Sequence, residues 1–254
     1  MTDISIAIVA YNDEEDVCNA VASIEAHTAE RISKQIYIVD NSDTPNGLIA
    51  LEHKYRDVSY VPAGQNLGFG GGHNLVLERL DSRFHAIVNP DILLRMDALD
   101  TLMQFMDREQ VGMSVPRIVD EEGKLQAVYR RELTVWDMFL RMFFKGACKK
   151  RQAYHTMQDM DYETAFPVPF AQGSFLVIRT DLFRRLGGFD ERFFLYMEDA
   201  DLCRRVNEVS TLFYCPDAEV VHKWERGSHK NHSLFRIHVH SMFAYFRKWG
   251  WKLV

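Results

Sequence analysis

Polar residues stand directly after several short apolar runs of this chain. "ISIAIVA" is followed by Tyr11 and Asn12, "QIYIV" by Asp40, and "HAIV" by Asn89-Pro90-Asp91. Such runs, rich in β-branched residues, are typical of strands buried on both faces of a parallel sheet. Because ligands of open α/β sheets bind at the carboxyl ends of the strands, these residues predict one polar edge that suits a nucleotide-type ligand.

Three carboxylates lie close together in "YMEDADLCRR", at Glu198, Asp199 and Asp201. Carboxylates at this spacing repel one another, which raises at least one pKa and suits a general base. The alternative is that they stabilise a helix N-terminus through the helix dipole. Arg204 and Arg205 follow one turn later and could pair with these acids or with a diphosphate.

His222 lies at the end of another apolar run, in "EVVHKWERGS". Together with Asp91 it could complete a hard-metal site to which diphosphate oxygens supply further ligands. "QNLGFGGGHN" contains four glycines between Gly68 and Gly72, and such turns let backbone N–H groups approach a phosphate or a sugar. A flexible connector would have the same composition, and the G-K-[ST] of a Walker A loop is missing.

Strand and helix patterns alternate along the first half of the chain, which indicates an α/β fold with helices on both faces of the sheet. The predicted strands are Ile4–Ala10, 35–40, 58–63, 84–91 and 111–118, and the helices between them include 46–55, 72–80 and 96–107. After Ile118 the patterns predict a hairpin turn at "DEEGKL", a strand pair turned at Pro216-Asp217 and a final helix over Ser233–Trp249.

The composition of the chain excludes several classes of protein. With 254 residues, 47% of them hydrophobic and 26% charged, the chain suits one large globular domain, and a net charge of -6 argues against nucleic-acid binding. Four scattered cysteines indicate reduced thiols. The acidic start "MTDISIAIVAYNDEED" does not match a signal peptide, and no apolar stretch is long enough to span a bilayer. We therefore expect a cytoplasmic protein.

Taken together, these motifs resemble family-2 glycosyltransferases of the GT-A fold, and most closely their rhamnosyltransferase branch. The resemblance extends from about Ile4 to Trp249 and rests on "IVAYN", "IVDNSD", "NLGFGGGHN", "NPD", "GSFLVIR", "GGFDERFFLYMEDADLCRR" and "VVHKWERGS". It implies a mostly parallel central sheet flanked by helices. It also implies a catalytic domain over 1–225, with a nucleotide-sugar half (1–116) and an acceptor half (117–225), followed by a basic aromatic helix over 226–254.

The resemblance also implies roles for individual residues. Asp199, in the Glu198-Asp199 pair, matches the catalytic base, and Asp91 and His222 match ligands of Mg²⁺ or Mn²⁺. "NPD" stands where the family has D-x-D, so Asn89 replaces a carboxylate that touches ribose or sugar, and the site is expected to bind metal weakly without the donor. The donor pocket is expected to include Ala10, Tyr11, Asn12, Asp40, Asn66, Gly70, Asn74 and Arg204, with Tyr11 stacked on the base and Asp40 bonded to its imide N–H.

The implied reaction is a single displacement with inversion at the anomeric carbon. The best match for the donor is dTDP-rhamnose, with a UDP-hexose as an alternative, and the acceptor is a hydroxyl of a lipid-diphosphate-linked or oligosaccharide substrate in cell-surface glycan synthesis. A nucleotidyltransferase should carry a basic glycine-rich signature near its first strand, where "AYNDEED" is acidic. A degenerate, non-catalytic scaffold should have lost the base, yet Asp199 is present.

Two stretches, "MFLRMFFKGACKKR" and "FRIHVHSMFAYFRKWGWK", mix aromatic and basic residues without acids. This mixture suits peripheral contact with an anionic membrane, here the inner face of the plasma membrane. A helix that packs on the core and keeps a solvated basic face has the same composition. Both interpretations, and the oligomeric state, are open at the level of sequence.

Overall fold

The structure, a computed structural model, describes residues 1–144, 148–223 and 232–253. Its strands are β1 (Thr2–Ala10), β2 (Lys34–Asp40), β3 (Val58–Pro62), β4 (Ser82–Val88), β5 (Ile92–Leu94), β6 (Met113–Val119), β7 (Tyr129–Arg130), β8 (Phe166–Pro167), β9 (Phe170–Ala171), β10 (Phe175–Arg179) and β11 (Leu212–His222). Its α-helices are α1 (Glu14–His27), α2 (Ala50–Lys54), α3 (Gly68–Asn74), α4 (Ala98–Glu109), α5 (Val135–Phe143), α6 (Lys149–His155), α7 (Thr180–Arg185), α8 (Glu198–Val209) and α9 (His232–Trp249).

One large sheet holds nine of the described strands in the order β3-β2-β1-β4-β10-β6-β11-β5, with β8 paired to β11. The first four run parallel, as predicted, and β6 is parallel to β11. β10 runs antiparallel to β4 and to β6, so the sheet is mixed in its second half. Since β10 is antiparallel, it starts at the edge where β1, β2 and β4 end. Both halves of the chain therefore contribute residues to that edge.

The parallel half forms from its apolar runs in the way that the sequence indicates. Every residue from Ile4 to Ala10 is buried, and so is every residue from Phe84 to Val88. Helix α1 covers one face of the sheet with a buried stripe that includes Val17, Val21 and Ile24. Strands covered on both faces expose polar groups only at their ends, which places the polar residues of the motifs at the sheet edge.

Two predicted elements are wrong in detail. The glycines of "GFGGGHN" are not a loop before a helix at residue 72, because α3 itself starts at Gly68. The strand pair at Pro216-Asp217 is a single strand, β11, whose pairing with β6 shifts register between Cys215 and Glu219. A bulge accommodates Pro216, which lacks a backbone N–H for the ladder. The predicted turn at "DEEGKL" is confirmed by the hydrogen bond from the Asp120 N–H to the Lys124 carbonyl.

The basic aromatic helix α9 packs against the main hydrophobic core. Tyr245 and Phe246 are buried in the main hydrophobic core, and the Ser241 hydroxyl donates to the Leu195 carbonyl (2.8 Å). The predicted boundary between domain and helix, at residue 225, lies outside the described residues. Among the described residues no helix is both long and apolar enough to cross a membrane.

A buried carboxylate anchors the end of α9. Asp201 is fully buried and accepts hydrogen bonds from Arg205 (2.7 Å) and from the Trp249 indole (2.8 Å), and its other contact is the Lys248 ammonium (2.6 Å). Lys248 also contacts Asp190 (2.7 Å). Buried charges are tolerated when they are paired and hydrogen-bonded in this way. Asp201 is therefore a structural member of the acidic cluster.

Two histidines are buried and neutral within the fold. His73 lies between Phe69 and Phe189 in an aromatic cluster, and His85 stacks on Phe183. Burial, together with the neighbouring His85, lowers the pKa of His73 well below its usual value. Burial lowers the pKa of His85 to about 3. Both rings are therefore neutral at pH 7, whereas in the unfolded chain they take up protons near pH 6.5.

This difference predicts that the protein loses stability in mild acid. The stabilisation is complete above pH 6.5 and is lost as the pH falls towards the folded-state pKa, at about 1.4 kcal/mol per pH unit for each histidine. The free energy of unfolding, measured with urea, should be about 3 kcal/mol lower at pH 5.5 than at pH 7.5 because of the two rings. His73→Phe should halve this loss, while His53→Gln, on the surface, should leave it unchanged. Equal losses in wild type and His73→Phe would contradict the assignment.

Candidate active site

The "NPD" segment is a turn between two strands. β4 ends at Val88, and β5, which the sequence analysis missed, starts at Ile92 and pairs with β11. In that pairing Ile92 lies opposite His222, which places the His222 Nε2 3.2 Å from the Asp91 Oδ2. The structure therefore brings together the two predicted metal ligands, which are far apart in sequence.

Gln126 orients the His222 ring, a role that the sequence analysis missed. Its Nε2 donates to the His222 carbonyl (2.8 Å), which turns its Oε1 towards the His222 Nδ1 (2.9 Å). Because an amide oxygen only accepts, Nδ1 donates a proton to it, and Nε2, which lies on the Asp91 side, is the ring nitrogen left for a metal. Metal-binding histidines are held in the correct tautomer by this kind of bond.

Asp91 and His222 are two residues that could hold a divalent cation, although the described residues contain no group of three or more such side chains that could. The Asp91 Oδ1 is buried without a hydrogen-bond partner among the described residues, and a cation would supply the partner that it lacks. The turn also borders a groove of about 550 Å³ that includes Asp13, Asp16 and Glu121. Burial and the nearby Asp16 and Asp91 carboxylates raise the pKa of Asp13 to about 6, although its bond from the Tyr11 N–H opposes this. These acids add the negative charge that Asn89 lacks.

Gln126→Leu is expected to weaken Mn²⁺ binding about 10- to 100-fold, because the tautomer and the orientation of His222 are no longer held. Calorimetric titration of Mn²⁺ in the presence of a nucleoside diphosphate measures this effect without any turnover. Gln104→Leu, on the exposed face of α4, is the matched control and should bind as wild type does. Unchanged affinity in Gln126→Leu would remove its role in the site.

Asp199 lies in the first turn of α8 and is held by backbone N–H groups. Its Oδ2 accepts from the Gly173 N–H (3.1 Å) and its Oδ1 from the Ala200 N–H (2.8 Å). Tyr196 and Met197, just before the helix, both have positive φ (68° and 70°), a conformation that costs energy for residues other than glycine. This strained turn aims the carboxylate into a cavity, as a positioned base requires.

That cavity has a volume of about 210 Å³ and is lined by both polar and apolar residues. Asn89, Ser174, Glu198 and Asp199 are among the polar ones. The other lining residues are Phe69, Arg130, Leu133, Met138, Phe170, Gln172, Gly173, Leu195, Tyr196, Met197 and His238. The "NPD" turn and the Glu-Asp pair thus share one cavity, to which α9 contributes His238. His238 stacks on Tyr196, with ring centroids 4.6 Å apart.

The predicted base-binding residues lie at the ends of β1 and β2. Asp40 accepts from Tyr60 (2.7 Å), Asn46 (2.9 Å) and the Ser42 N–H (2.9 Å). Burial raises its pKa, but these bonds outweigh burial, so the net shift is downward and the group is ionised at neutral pH.

Ala10, the last residue of β1, is buried, whereas the Tyr11 ring is 46% exposed. The Tyr11 hydroxyl donates to Asp43 (3.3 Å), and the Asn12 amide bonds the same carboxylate (3.0 Å). The exposed ring has an open face on which a base can stack.

The glycine helix α3 connects this region to the catalytic turn. Asn66 accepts from the Gly68 N–H (2.9 Å), and Gly68 has φ +73°. A Cβ at Gly68 would lie 1.9 Å from the Phe194 carbonyl oxygen, which itself accepts from the Phe69 N–H. Gly70 packs against Glu198 and Phe189, and a Cβ at Gly70 would lie 2.9 Å from the Phe189 Cβ. The glycines therefore let α3 approach the segment that carries Glu198 and Asp199.

Two predicted donor residues lie apart from these cavities. The Asn74 side chain bonds the backbone N–H and carbonyl of Phe189 (2.8 and 2.9 Å), which fixes the loop before the catalytic turn. The Arg204 guanidinium lies over the Trp249 ring (4.5 Å) and faces Glu132 (3.7 Å), towards α9. Neither residue lines the cavity or the acidic groove in the described part of the chain.

The comparison with known families agrees with this geometry. The family described as Glycosyl transferase family 2 matches residues 5–187, which include both the "NPD" turn and the glycine helix. The chain belongs to glycosyltransferase family 2. It is therefore a glycosyltransferase, and its relatives place it in the rhamnosyltransferase branch.

Two relatives support the branch. The N-acetylglucosaminyl-diphospho-decaprenol L-rhamnosyltransferase of Mycobacterium tuberculosis is 29% identical over 252 residues, which cover 93% of this chain and 79% of that protein. Rhamnosyltransferase WbbL of Escherichia coli is 26% identical over 253 residues, covering 94% of this chain and 91% of that protein.

Solved structures confirm the GT-A fold. GalNAc-T7 in complex with UDP, GalNAc and Mn²⁺ superposes with a TM-score of 0.70 at 15% identity; the match covers 91% of this chain but 45% of that one. The mannosyltransferase PcManGT of Pyrobaculum calidifontis, in complex with GDP-Man and Mn²⁺, gives 0.68 at 16% identity and covers 98% of this chain and 66% of that one.

Proposed function

We propose that this glycosyltransferase moves L-rhamnose from dTDP-rhamnose, with inversion, to a hydroxyl of a lipid-diphosphate-linked or polysaccharide acceptor in cell-surface glycan synthesis. The observation that carries the proposal is the shared cavity of Asn89 and Asp199. It supports the proposal because Asp199, the proposed base, shares a cavity with the strand end at which a nucleotide sugar is expected to bind.

Asp199 takes the proton of the acceptor hydroxyl as that oxygen attacks the anomeric carbon. Its two backbone N–H bonds hold the carboxylate in a fixed orientation at the cavity, as a general base requires. The apolar residues that line the cavity, which include Leu133 and Phe170, exclude water that would otherwise hydrolyse the donor.

Asp91 and His222 are the residues that would hold Mg²⁺ or Mn²⁺, with Gln126 behind the histidine. When bound, the ion supplies positive charge that stabilises the leaving nucleoside diphosphate. Two structural neighbours were solved with Mn²⁺, which supports a divalent cation here. Asp40 and Tyr11 are proposed to hold the base of the nucleotide, and Asn66 and Gly70 to line the donor pocket.

The rhamnose donor and the lipid-linked acceptor are supported by the names of the relatives. One is a rhamnosyltransferase whose name specifies an N-acetylglucosaminyl-diphospho-decaprenol acceptor, and another is named a rhamnosyltransferase. A third, from Haloferax volcanii, is named a hexosyltransferase, which keeps a hexose donor as the alternative.

A panel of dTDP-, UDP- and GDP-sugars tests the donor. In the presence of Mn²⁺ we expect dTDP-rhamnose to raise the melting temperature most, because a ligand that binds only the native state stabilises it. Transfer to an N-acetylglucosaminyl-diphospho-polyprenol is then measured with the best donor. A larger shift and faster transfer with a UDP-hexose would reassign the donor, and no transfer from any donor would remove the enzymatic proposal.

A strip of exposed aromatic residues supports membrane contact beside the site. It consists of Trp136, Phe139 and Phe144 near α5, and Phe243 and Trp251 from the C-terminal part, all at least 40% exposed. The C-terminal tail joins the two groups, since the backbone N–H of Trp136 donates to the Leu253 carbonyl (3.1 Å). Exposed Arg236, Arg247 and Lys252 accompany the strip and suit anionic headgroups. We therefore propose that the protein contacts the inner face of the plasma membrane.

Replacing Trp136 and Phe243 with serine is expected to reduce sedimentation with phosphatidylglycerol vesicles about tenfold, because two interfacial aromatic anchors are lost. The control is Ile49→Ser with Val209→Ser, which removes two similarly exposed apolar side chains, one just before α2 and one at the end of α8. Its binding should match that of wild type. If both double variants bind vesicles equally well, the strip is not a membrane contact.

A further inference from the structure

Two buried polar groups of the catalytic cavity have no hydrogen-bond partner among the described residues. They are the Ser174 hydroxyl, which is fully buried, and the Glu198 Oε2, on a side chain that is 5% exposed. Both residues line the same cavity as Asp199. A buried polar group without a partner costs free energy, so a pair of them in one cavity points to a ligand that supplies the missing bonds.

Ser174 lies on the donor side of the cavity. Its carbonyl accepts from the Asn89 N–H (2.9 Å), and the following residue, Phe175, pairs with Val88 at the end of β4. Ser174 is therefore fixed beside the "NPD" turn, where the diphosphate of a nucleotide sugar would meet Asp91. The sugar, which is bonded directly to that diphosphate, is the part of the donor within reach of Ser174.

Glu198 approaches the same region from the glycine helix. A Cβ at Gly70 would lie 3.7 Å from the Glu198 Cβ, so the Glu198 side chain starts against α3, and it also lines the cavity. Burial, and the Asp199 carboxylate beside it, raise the pKa of Glu198 well above its usual value. A protonated carboxyl donates a hydrogen bond, whereas a serine hydroxyl can donate or accept. Together they match a sugar hydroxyl, which also does both.

We propose that Ser174 and Glu198 bind one ring hydroxyl of the donor sugar and select donors that carry it. The inference rests on the glycosyltransferase function proposed above and goes beyond it, because it separates the Glu-Asp pair into two roles. Asp199 is the base, held by two N–H donors, and Glu198 is a neutral hydrogen-bond donor to the substrate. A site built to bond a hydroxyl discriminates strongly against an analogue that lacks it.

The test compares the steady-state kinetics of Ser174→Ala, Glu198→Ala and Glu198→Gln, with the donor that the wild-type enzyme uses best. We expect the two alanine variants to raise the donor KM about tenfold and to leave the acceptor KM unchanged, since each loses one hydrogen bond to the sugar. Glu198→Gln should restore much of the donor affinity, because its amide can still donate. Ser114→Ala is the matched control, since Ser114 is equally buried but donates to the Phe213 carbonyl.

Monodeoxy analogues of the same donor identify the hydroxyl. The wild-type enzyme should discriminate against one of them, and Ser174→Ala should reduce that discrimination about tenfold. A loss of kcat in Glu198→Gln as large as that in Asp199→Asn would make Glu198 the base and overturn the inference. It would also be overturned if the acceptor KM rises in place of the donor KM, or if neither changes. Absence of transfer by the wild type itself would remove the proposed function instead.

Discussion

Asp199→Asn is expected to lower kcat for sugar transfer by about 10²- to 10⁴-fold, because the acceptor hydroxyl loses its general base. The donor KM should stay within about threefold of wild type, since the amide oxygen can still accept from the Gly173 N–H and the cavity keeps its shape. Initial rates at saturating acceptor, together with a thermal shift on donor binding, separate these two effects.

Two control variants, Asp181→Asn and Asp201→Asn, test whether the loss of kcat is specific to Asp199. Asp181→Asn removes an exposed carboxylate from the first turn of α7 and should leave kcat unchanged. Asp201→Asn, two residues from the base, should lower the melting temperature instead, because Arg205, Lys248 and Trp249 lose a buried partner. Turnover at the wild-type rate in Asp199→Asn would show that another group accepts the proton.

We expect removal of the divalent metal to have the second large effect on the rate of sugar transfer. EDTA should abolish transfer, and Mn²⁺ or Mg²⁺ should restore it, because the leaving diphosphate then regains its compensating charge. Asp91→Asn should need at least about tenfold more Mn²⁺ for half-maximal rate, since the site loses a charged ligand. Rates measured across a Mn²⁺ titration give this value directly.

Asp161→Asn, a surface carboxylate in the turn before β8, is the control for this titration and should need no more Mn²⁺ than wild type. Full activity of the wild type in EDTA would exclude a dependence on metal that EDTA can remove. If EDTA inhibits but Asp91→Asn responds to Mn²⁺ as wild type does, the ion is held elsewhere, and the acidic groove of Asp13 and Asp16 becomes the next region to test.

The parallel half of the fold was predictable from sequence because its signals are local. Seven consecutive buried residues in β1 and five in β4 are typical of strands covered on both faces, and the last three residues of β2 are buried as well. The polar residues after them follow from the same rule, since a buried strand exposes polar groups only at its end. Asp40, Asn89 and Asp91 could therefore be assigned to one edge without any tertiary information.

The second half depended on contacts between segments that are distant in sequence. β5 has three residues and no strand signal of its own, and it forms because β11 pairs with it. Pro216 and Asp217 have the local signal of a turn, yet in the structure they form a bulge in β11, which pairs in parallel with β6. Similarly, the composition of α9 suits a membrane surface and a packed helix equally well, and only the burial of Tyr245 and Phe246 shows that it packs.

The candidate site, like the fold, has one part that the sequence predicts and another part that depends on tertiary contacts. The sequence by itself predicted the chemical types, namely a base in "ED", a metal carboxylate in "NPD" and a late histidine, and these roles stay predictions. Only the tertiary structure decided which groups face one another, because side-chain partners depend on the pairing and register of strands and not on local pattern. It placed Gln126 behind His222 and turned Asn74 and Arg204 towards structural contacts. It also left the Ser174 hydroxyl and the Glu198 Oε2 buried without a hydrogen-bond partner among the described residues.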